Sequence, residues 1–343
     1  MEFIDSMNPE LLERTLRSFV TPEGRKIGTP GNKRARRFII DRLKKDEIGP
    51  YSDGGYCYPY GNSFIKGAES VNIVARIPGS KPNERPILIG AHYDTCGPNP
   101  GADDNAAAVA ILLHISPLVT RLNLKRDVIV AFFDAEEPPS FGNPSMGSVR
   151  FYEDHLENTK DSDSACIPAC AVIMDLVGHD IPITGMEDAL AVTGFDSSAV
   201  LTEVETCDLR SDGVTVLKTV DLGLDLSDHI IFKEKGVPFL FLTCGVGPYY
   251  HTSQDTVETL NFTKIAGTGS VLLKMLDELD RVDFRTPGNR KPPLGSGSTR
   301  KLEIDQMNGL LEKIGPIPGN PAPISTEEEL EAIYNFLKDR LSI

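Results

Sequence analysis

ILIGAHYDT (87–95), VIVAFFDAEE (128–137) and CAVIMDLVG (170–178) decide how this chain folds. Each is an unbroken apolar run of strand length that ends in acidic or imidazole side chains. Continuous rather than alternating hydrophobicity marks strands buried on both faces, the condition of a parallel sheet. A fourth run, FLFLTCG (239–245), leads into a loop containing YYHTSQDT (249–256). An open α/β sheet places its chemistry outside the carboxyl ends of its strands, which is where these polar groups fall.

Helical patterns alternate with the strands, over 104–120, 147–157, 197–208, 227–235 and 262–280, with strands over 127–133, 170–176 and 237–243. This rhythm predicts an α/β fold: a mixed, mostly parallel central sheet flanked by helices on both faces. Ahead of it come a helix over 8–19, the turn-rich TPEGRKIGTPGN (21–32), a basic helix over 33–45, and a loop or edge strand over 47–67. SVNIVARIPG (70–79) and PILIGAHYD (86–94), joined by SKPNER, read as a hairpin or meander. Residues 1–284 are then one domain, RTPGNRKPPLGSGST (285–299) a linker, and 300–343 a helical appendage. Its helices fall over 300–314 and 325–341, the second opened by a capping box in Ser325-Thr-Glu-Glu.

The 343 residues are 40% hydrophobic and 25% charged, with a net charge of −15. Such an acidic balance argues against nucleic acid or an anionic membrane as partner, since both require a basic face. No run of about 18 apolar residues is present. The opening MEFIDSMNPELLERTLRSF lacks the basic and apolar regions of an export signal. A cytoplasmic location is the expectation, with a secreted or periplasmic one following only after removal of a leader. The six cysteines (57, 96, 166, 170, 207, 244) are scattered without a CxxC pair and read as reduced, mostly buried thiols, Cys96 among them.

Five residues in this framework carry the donor types that zinc prefers: His92, Asp104, Glu137, Asp175 and His251. Two zinc ions sharing one carboxylate need two histidines, the bridging carboxylate and one further carboxylate per ion, and this set suffices. Asp94, two residues beyond His92, is placed to accept the ring's other N–H and fix its tautomer. Asp255, four residues after His251, is placed to serve that ring likewise. Glu136 and Glu137 are adjacent at a strand end and point apart, so Glu137 suits a ligand and Glu136 a general base. Asp103 and Asp104 open an Ala-rich helix, where either could instead be a helix cap.

AHYDT (91–95), GADDNAAAVA (101–110), DAEE with the later GS (134–137, 147–148), MDLVG (174–178), SDHIIF with GVPFL (227–232, 236–240) and YHTSQDT (250–256) together resemble the M28 zinc aminopeptidases. The likeness covers roughly residues 25–280. It implies His92 and Asp175 on one zinc, Glu137 and His251 on the other, Asp104 as the bridge and Glu136 as the base. It also implies a cis peptide between Asp104 and Asn105, and Tyr250 as donor to the tetrahedral oxyanion. The implied substrate is a peptide with a free N-terminus, with Glu136 and Asp228 as candidates to receive its α-amine. His179, directly after the VG that follows Asp175, is a further candidate for substrate contact. The chain departs from the family in EEPPSFGNPSMGS (136–148), longer and more proline-rich than usual. Three other functions compete: a single-zinc glutaminyl cyclase, a carboxypeptidase, and a non-catalytic binding module. The cyclases carry tryptophan before the last histidine, where this tryptophan-free chain has Tyr250. A binding module would have no use for all five ligands together with Glu136.

Overall fold

The computed structural model describes residues 7–65, 67–157, 166–221, 223, 225–284, 297–314 and 322–341. Its strands are β1 (Gly49–Pro50), β2 (Cys57–Gly61), β3 (Glu69–Ile77), β4 (Ile87–His92), β5 (Val128–Phe133), β6 (Cys170–Met174), β7 (Ala189–Thr193), β8 (Thr215–Lys218) and β9 (Phe239–Thr243). They form one mixed sheet in the order β1-β3-β5-β4-β6-β9-β7-β8, with β2 also paired to β3. The central β5, β4, β6 and β9 are parallel, while β3 and β7 join them antiparallel. All residues of those four central strands are buried, as their unbroken apolar sequences require.

The registers set the carboxyl ends level. His92 lies opposite Phe133, Gly90 opposite Ile173, and Ile173 opposite Phe241. Gly90 is needed at this crossing, because a Cβ there would stand 2.8 Å from the Phe133 ring and 3.0 Å from Ile173 Cδ1. Residues of β4 and β5 divide by parity between two apolar layers. Ile87, Ile89, Val128, Val130 and Phe132 join the larger one, and Leu88, Ile129, Ala131 and Phe133 the smaller.

The helices are α1 (Pro9–Phe19), α2 (Pro30–Lys45), α3 (Ala107–Val119), α4 (Gly147–Phe151), α5 (Leu201–Thr206), α6 (His229–Glu234), α7 (Phe262–Arg281), α8 (Gly297–Ile314) and α9 (Glu327–Leu341). Buried side chains of α1, α2, α3 and α7 fill the larger layer, and those of α4 and α6 the smaller. Local capping fixes three of these starts. The side chains of Asn8, Thr29 and Asn261 accept the backbone N–H of Leu11, Asn32 and Lys264, and Pro9 and Pro30 occupy first-turn positions. The second helix therefore begins within the stretch expected as a turn. The segment Ala102–Val119 is apolar enough over 18 residues to span a membrane by length and composition, yet 83% of it is buried in the fold.

Three expectations are corrected. β3 and β4 form no hairpin, because β5 lies between them. A buried parallel pairing of β4 with β5 covers more apolar surface than a local turn would. Strands β7 and β8 occupy ground where only a helix over 197–208 was expected, and that helix contracts to α5. The capping box is shifted by one residue: Glu329 N–H donates to Thr326 Oγ1 at 3.2 Å and Thr326 N–H to Glu329 Oε2 at 3.1 Å.

Most of the expected linker, residues 285–296, lies outside the described residues, and α8 already begins at Gly297. Met307 and Leu311 of α8, and Leu330 and Ile333 of α9, join the larger apolar layer. Buried Glu303 of α8 accepts from Thr219 Oγ1 at 2.9 Å and from Val220 N–H at 2.7 Å, just beyond the edge strand β8.

Candidate metal centre

Five side chains from five places along the chain converge above the carboxyl ends of the central strands. His92 ends β4, Glu137 follows β5, Asp175 follows β6, Asp104 precedes α3, and His251 sits in the loop after β9. Asp104 divides its carboxylate between two groups. Its Oδ1 lies 3.2 Å from His92 Nε2, which is itself 3.4 Å from Asp175 Oδ1. Its Oδ2 lies 3.1 Å from His251 Nε2, which is 3.0 Å from Glu137 Oε2. Glu136 Oε2 approaches His92 Nε2 to 3.8 Å.

The backbone around these groups departs from the ordinary. The Asp104–Asn105 peptide is cis. Ala135, Leu176 and His251 have left-handed φ of 60°, 53° and 57°. Such conformations cost non-glycine residues about 1–3 kcal/mol each and gather where a site over-determines the chain. Here they adjoin Glu136, follow Asp175, and belong to a candidate ligand itself.

Burial and repulsion shape the proton affinities of the ion-free groups. Burial pushes Glu137 up to about 8, with Asp104 adding to it, although His251 opposes both. Glu136 is raised well above the carboxylate range by burial first, against His92, with Glu137, Asp175 and Asp228 reinforcing the rise. Asp175 rises for the same leading reason. Burial would also raise Asp104, but its close approach to His251 and His92 prevails and lowers it. Burial alone would lower the two histidines; Asp175 and Glu136 instead raise His92 well above its ordinary value. Asp104 and Glu137 likewise raise His251 to about 10.

The supporting residues sort differently from expectation in two places. Asp94 comes to 3.5 Å from His92 Nδ1 without forming the expected hydrogen bond, and instead accepts the N–H of Glu136 and of Glu137 at 3.2 Å each. The carboxylate therefore holds the glutamate pair, while His92 Nδ1 itself has no hydrogen-bond partner. Asp255 does not brace the His251 ring. Its oxygens accept the N–H of Asp103 at 2.8 Å and of Asp104 at 3.1 Å, so it holds the dividing carboxylate instead. The His251 ring stacks on Tyr250, with centroids 3.7 Å apart. Asp103 is set apart from Asp104 by its partners: it accepts from Gly178 N–H at 2.7 Å and pairs with His179 Nδ1 at 2.6 Å.

His179 is buried and held by that bond, leaving its Nε2 without a hydrogen-bond partner. Asp228, fully buried at the start of α6, is raised to about 7 by burial, against the pull of His92, with Asp94 and Asp175 adding to the rise.

Sequence reasoning passed over Arg25. This buried guanidinium donates to Tyr93 O at 2.7 Å, Pro100 O at 2.6 Å and Gly101 O at 2.8 Å. It braces the loop that carries Asp94 and leads to Asp104. Asn99 was missed as well; its Nδ2 donates to Cys96 O at 2.7 Å and to His251 O at 2.8 Å. Spacing gives no signal for either, since both act on backbone carbonyls, most of them far away in sequence.

The donor set suits cations. His92 Nε2, Glu137 Oε1, Asp175 Oδ1 and His251 Nε2 are buried atoms without hydrogen-bond partners. Four close carboxylates face two imidazoles, an excess of negative charge that a dry site holds only with compensation.

Comparison with known proteins bears on the family and the fold. The family model described as peptidase family M28 matches residues 72–276. The uncharacterized protein YfbL of Escherichia coli is 29% identical over 59% of this chain and 69% of its own length. A probable leucine aminopeptidase of Trichophyton verrucosum is 22% identical over 80% of this chain and 72% of its own. Among solved structures, LapB from Legionella pneumophila superposes with a TM-score of 0.60 at 21% identity, covering 81% of this chain and 73% of that one. Porphyromonas gingivalis glutaminyl cyclase does so with a TM-score of 0.60 at 18% identity, covering 80% and 99%. At these identities the superpositions speak for the fold alone, while the family match spans well over half of the residues, and the chain belongs to peptidase family M28.

Proposed function

We propose that the protein is a zinc-dependent exopeptidase that removes residues from the free N-termini of peptides, using two ions at this centre. The observation that carries the reading is the division of Asp104. One oxygen faces the His92–Asp175 pair and the other the His251–Glu137 pair. A carboxylate shared in this way is what two adjacent ions require of a bridge. His92 and Asp175 would hold one ion, His251 and Glu137 the other. Bound there, zinc supplies Lewis acidity toward a carbonyl and makes water a competent nucleophile near neutral pH.

The remaining work falls to the chain. Glu136, buried and 3.8 Å from His92 Nε2, accepts the proton of the attacking water and returns it to the leaving amine. Asp94 fixes where Glu136 stands by holding its backbone N–H. Tyr250, whose ring stacks on His251, would donate its hydroxyl to the developing oxyanion. The buried carboxylates of Glu136 and Asp228 offer a negative environment for the substrate's ammonium group.

A second reading, glutaminyl cyclisation with a single zinc, draws on the equally good superposition with a glutaminyl cyclase. One experiment separates the two. Aminoacyl, N-blocked and N-terminal glutaminyl peptides are offered to the protein while bound zinc is counted. Release of free N-terminal residues with two zinc ions per chain is the expected outcome. Cleavage of blocked but not free peptides would overturn the aminopeptidase assignment, and cyclisation with one zinc would establish the second reading.

A further inference from the structure

Cys96 lies in the loop between β4 and Asp104, half-buried rather than enclosed. Its Sγ, a carboxylate oxygen of Glu137 and a ring nitrogen of His251 all lie within 4.8 Å of one another. Glu137 is 3% exposed, and its Oε1 has no hydrogen-bond partner. The thiol therefore belongs to the Glu137–His251 half of the centre.

The loop is built to keep it there. Asn99 Nδ2 donates both to Cys96 O at 2.7 Å and to His251 O at 2.8 Å, tying the two segments together. On the other side, Arg25 N–H donates to Thr95 Oγ1 at 2.8 Å, and Thr95 Oγ1 donates to Gly97 O at 3.2 Å. Gly97 has a left-handed φ of 69°, which reverses the chain directly after the cysteine.

We propose that Cys96 is a thiolate ligand to the ion held by Glu137 and His251, so that the two metal positions differ in kind. One is built from imidazole and carboxylate alone, and the other adds sulfur. The inference rests on the two-ion reading above and adds to it a residue of this chain. A tetrahedral ion bonded to sulfur at about 2.3 Å and to nitrogen or oxygen at about 2.0–2.2 Å holds such atoms roughly 3.5 Å apart. His251 Nε2 and Glu137 Oε2 already stand 3.0 Å apart, so an inward shift of the sulfur by no more than about 1.3 Å completes the site. On coordination the sulfur gives its proton to solvent and the metal takes its place. Sulfur shifts preference toward soft, thiophilic ions, so the Glu137–His251 position is expected to take cadmium in preference to manganese.

The test uses cobalt as a spectroscopic probe in the full chain. Metal-stripped wild type, Cys96→Ser and Cys96→Ala are titrated with Co2+, and bound metal is counted. Wild type should take up two ions, one of them accompanied by an intense sulfur-to-metal charge-transfer band in the near ultraviolet. Both variants should lose the band and bind that ion at least about tenfold more weakly, since even residues behind a ligand are worth 10–100-fold. Two ions bound without the band, or a band that survives in both variants, overturns the thiolate and leaves the two-ion reading standing. A chain that binds no cobalt defeats both.

Alkylation supplies a check that does not depend on any variant folding. Zinc loading of the wild type should slow modification of Cys96 while leaving exposed Cys57 unchanged. Equal rates at Cys96 with and without zinc refute the ligand.

Discussion

Replacing Arg25 by lysine tests whether the candidate centre depends on a residue that touches none of its ligand atoms. The guanidinium is 1% exposed and serves three carbonyls within 3 Å, those of Tyr93, Pro100 and Gly101, with Asp104 O more distant at 3.4 Å. Its charge survives burial, which lowers it only to about 10, so it remains a cation at neutral pH. It also lies over the Phe19 ring, 5.0 Å from the centroid. Lysine keeps the charge but brings one nitrogen where arginine brought a rigid fork, and a single ammonium reaches only one of the three carbonyls. Two hydrogen bonds from a charged donor are lost, at about 1.5–3 kcal/mol each. The expected destabilisation is about 3–6 kcal/mol, read by urea unfolding of the metal-free protein. Because the freed loop leads to Asp104, the variant should also bind zinc more weakly at both positions. A variant that unfolds within about 0.5 kcal/mol of wild type and binds two ions as tightly would refute the bracing role.

Glu136→Gln should retain both ions and lose at least about 100-fold in turnover, the usual scale for a general base; unchanged turnover would remove Glu136 from that role. Tyr250→Phe should lower kcat by about 10²–10³ with little change in KM, as expected for a donor acting on the transition state alone. A purely KM effect would make Tyr250 a substrate contact. In the metal-free protein Glu137 is held up at about 8 from an ordinary 4.5, so the folded state keeps a proton that the unfolded chain releases. Its contribution favours the fold below pH 4.5 and is lost as pH rises through 8. His251, raised to about 10, adds stability that fades in the same direction. Thermal melting of chelator-treated protein should therefore fall from pH 5 to pH 8 relative to the zinc-loaded form, and parallel curves would contradict the raised Glu137.

The central sheet was legible because strands buried on both faces write themselves as unbroken apolar runs, and ILIGAH, VIVAFF and CAVIM are such runs. The ligands at their ends were legible with them. ALAVT and TVLK were not, since strands of four or five residues toward the sheet edge leave no periodicity to read. The supposed hairpin of β3 and β4 failed because sequence shows which strands are neighbours in the chain, and only the fold shows that β5 intervenes. Asp255 was read by its nearness to His251, whereas its partners are backbone groups of Asp103 and Asp104. Backbone partners leave no side-chain signature. Arg25, Asn99 and the left-handed residues escaped for that reason too.

The pairing of β4 with partners that begin at Val128 and Cys170 governs when the centre comes into being. Contacts this distant in sequence form late and slowly, since each must first overcome the entropy of closing a long loop. During synthesis the ribosome delivers His92 and Asp104 first, the glutamate pair and Asp175 well afterwards, and His251 last. A nascent chain that stops short of His251 lacks the second imidazole, and with it the Glu137–His251 position. The complete five-residue centre thus exists only once the sheet has zipped and the final loop has emerged, and the proposed two-ion site arrives as one late event.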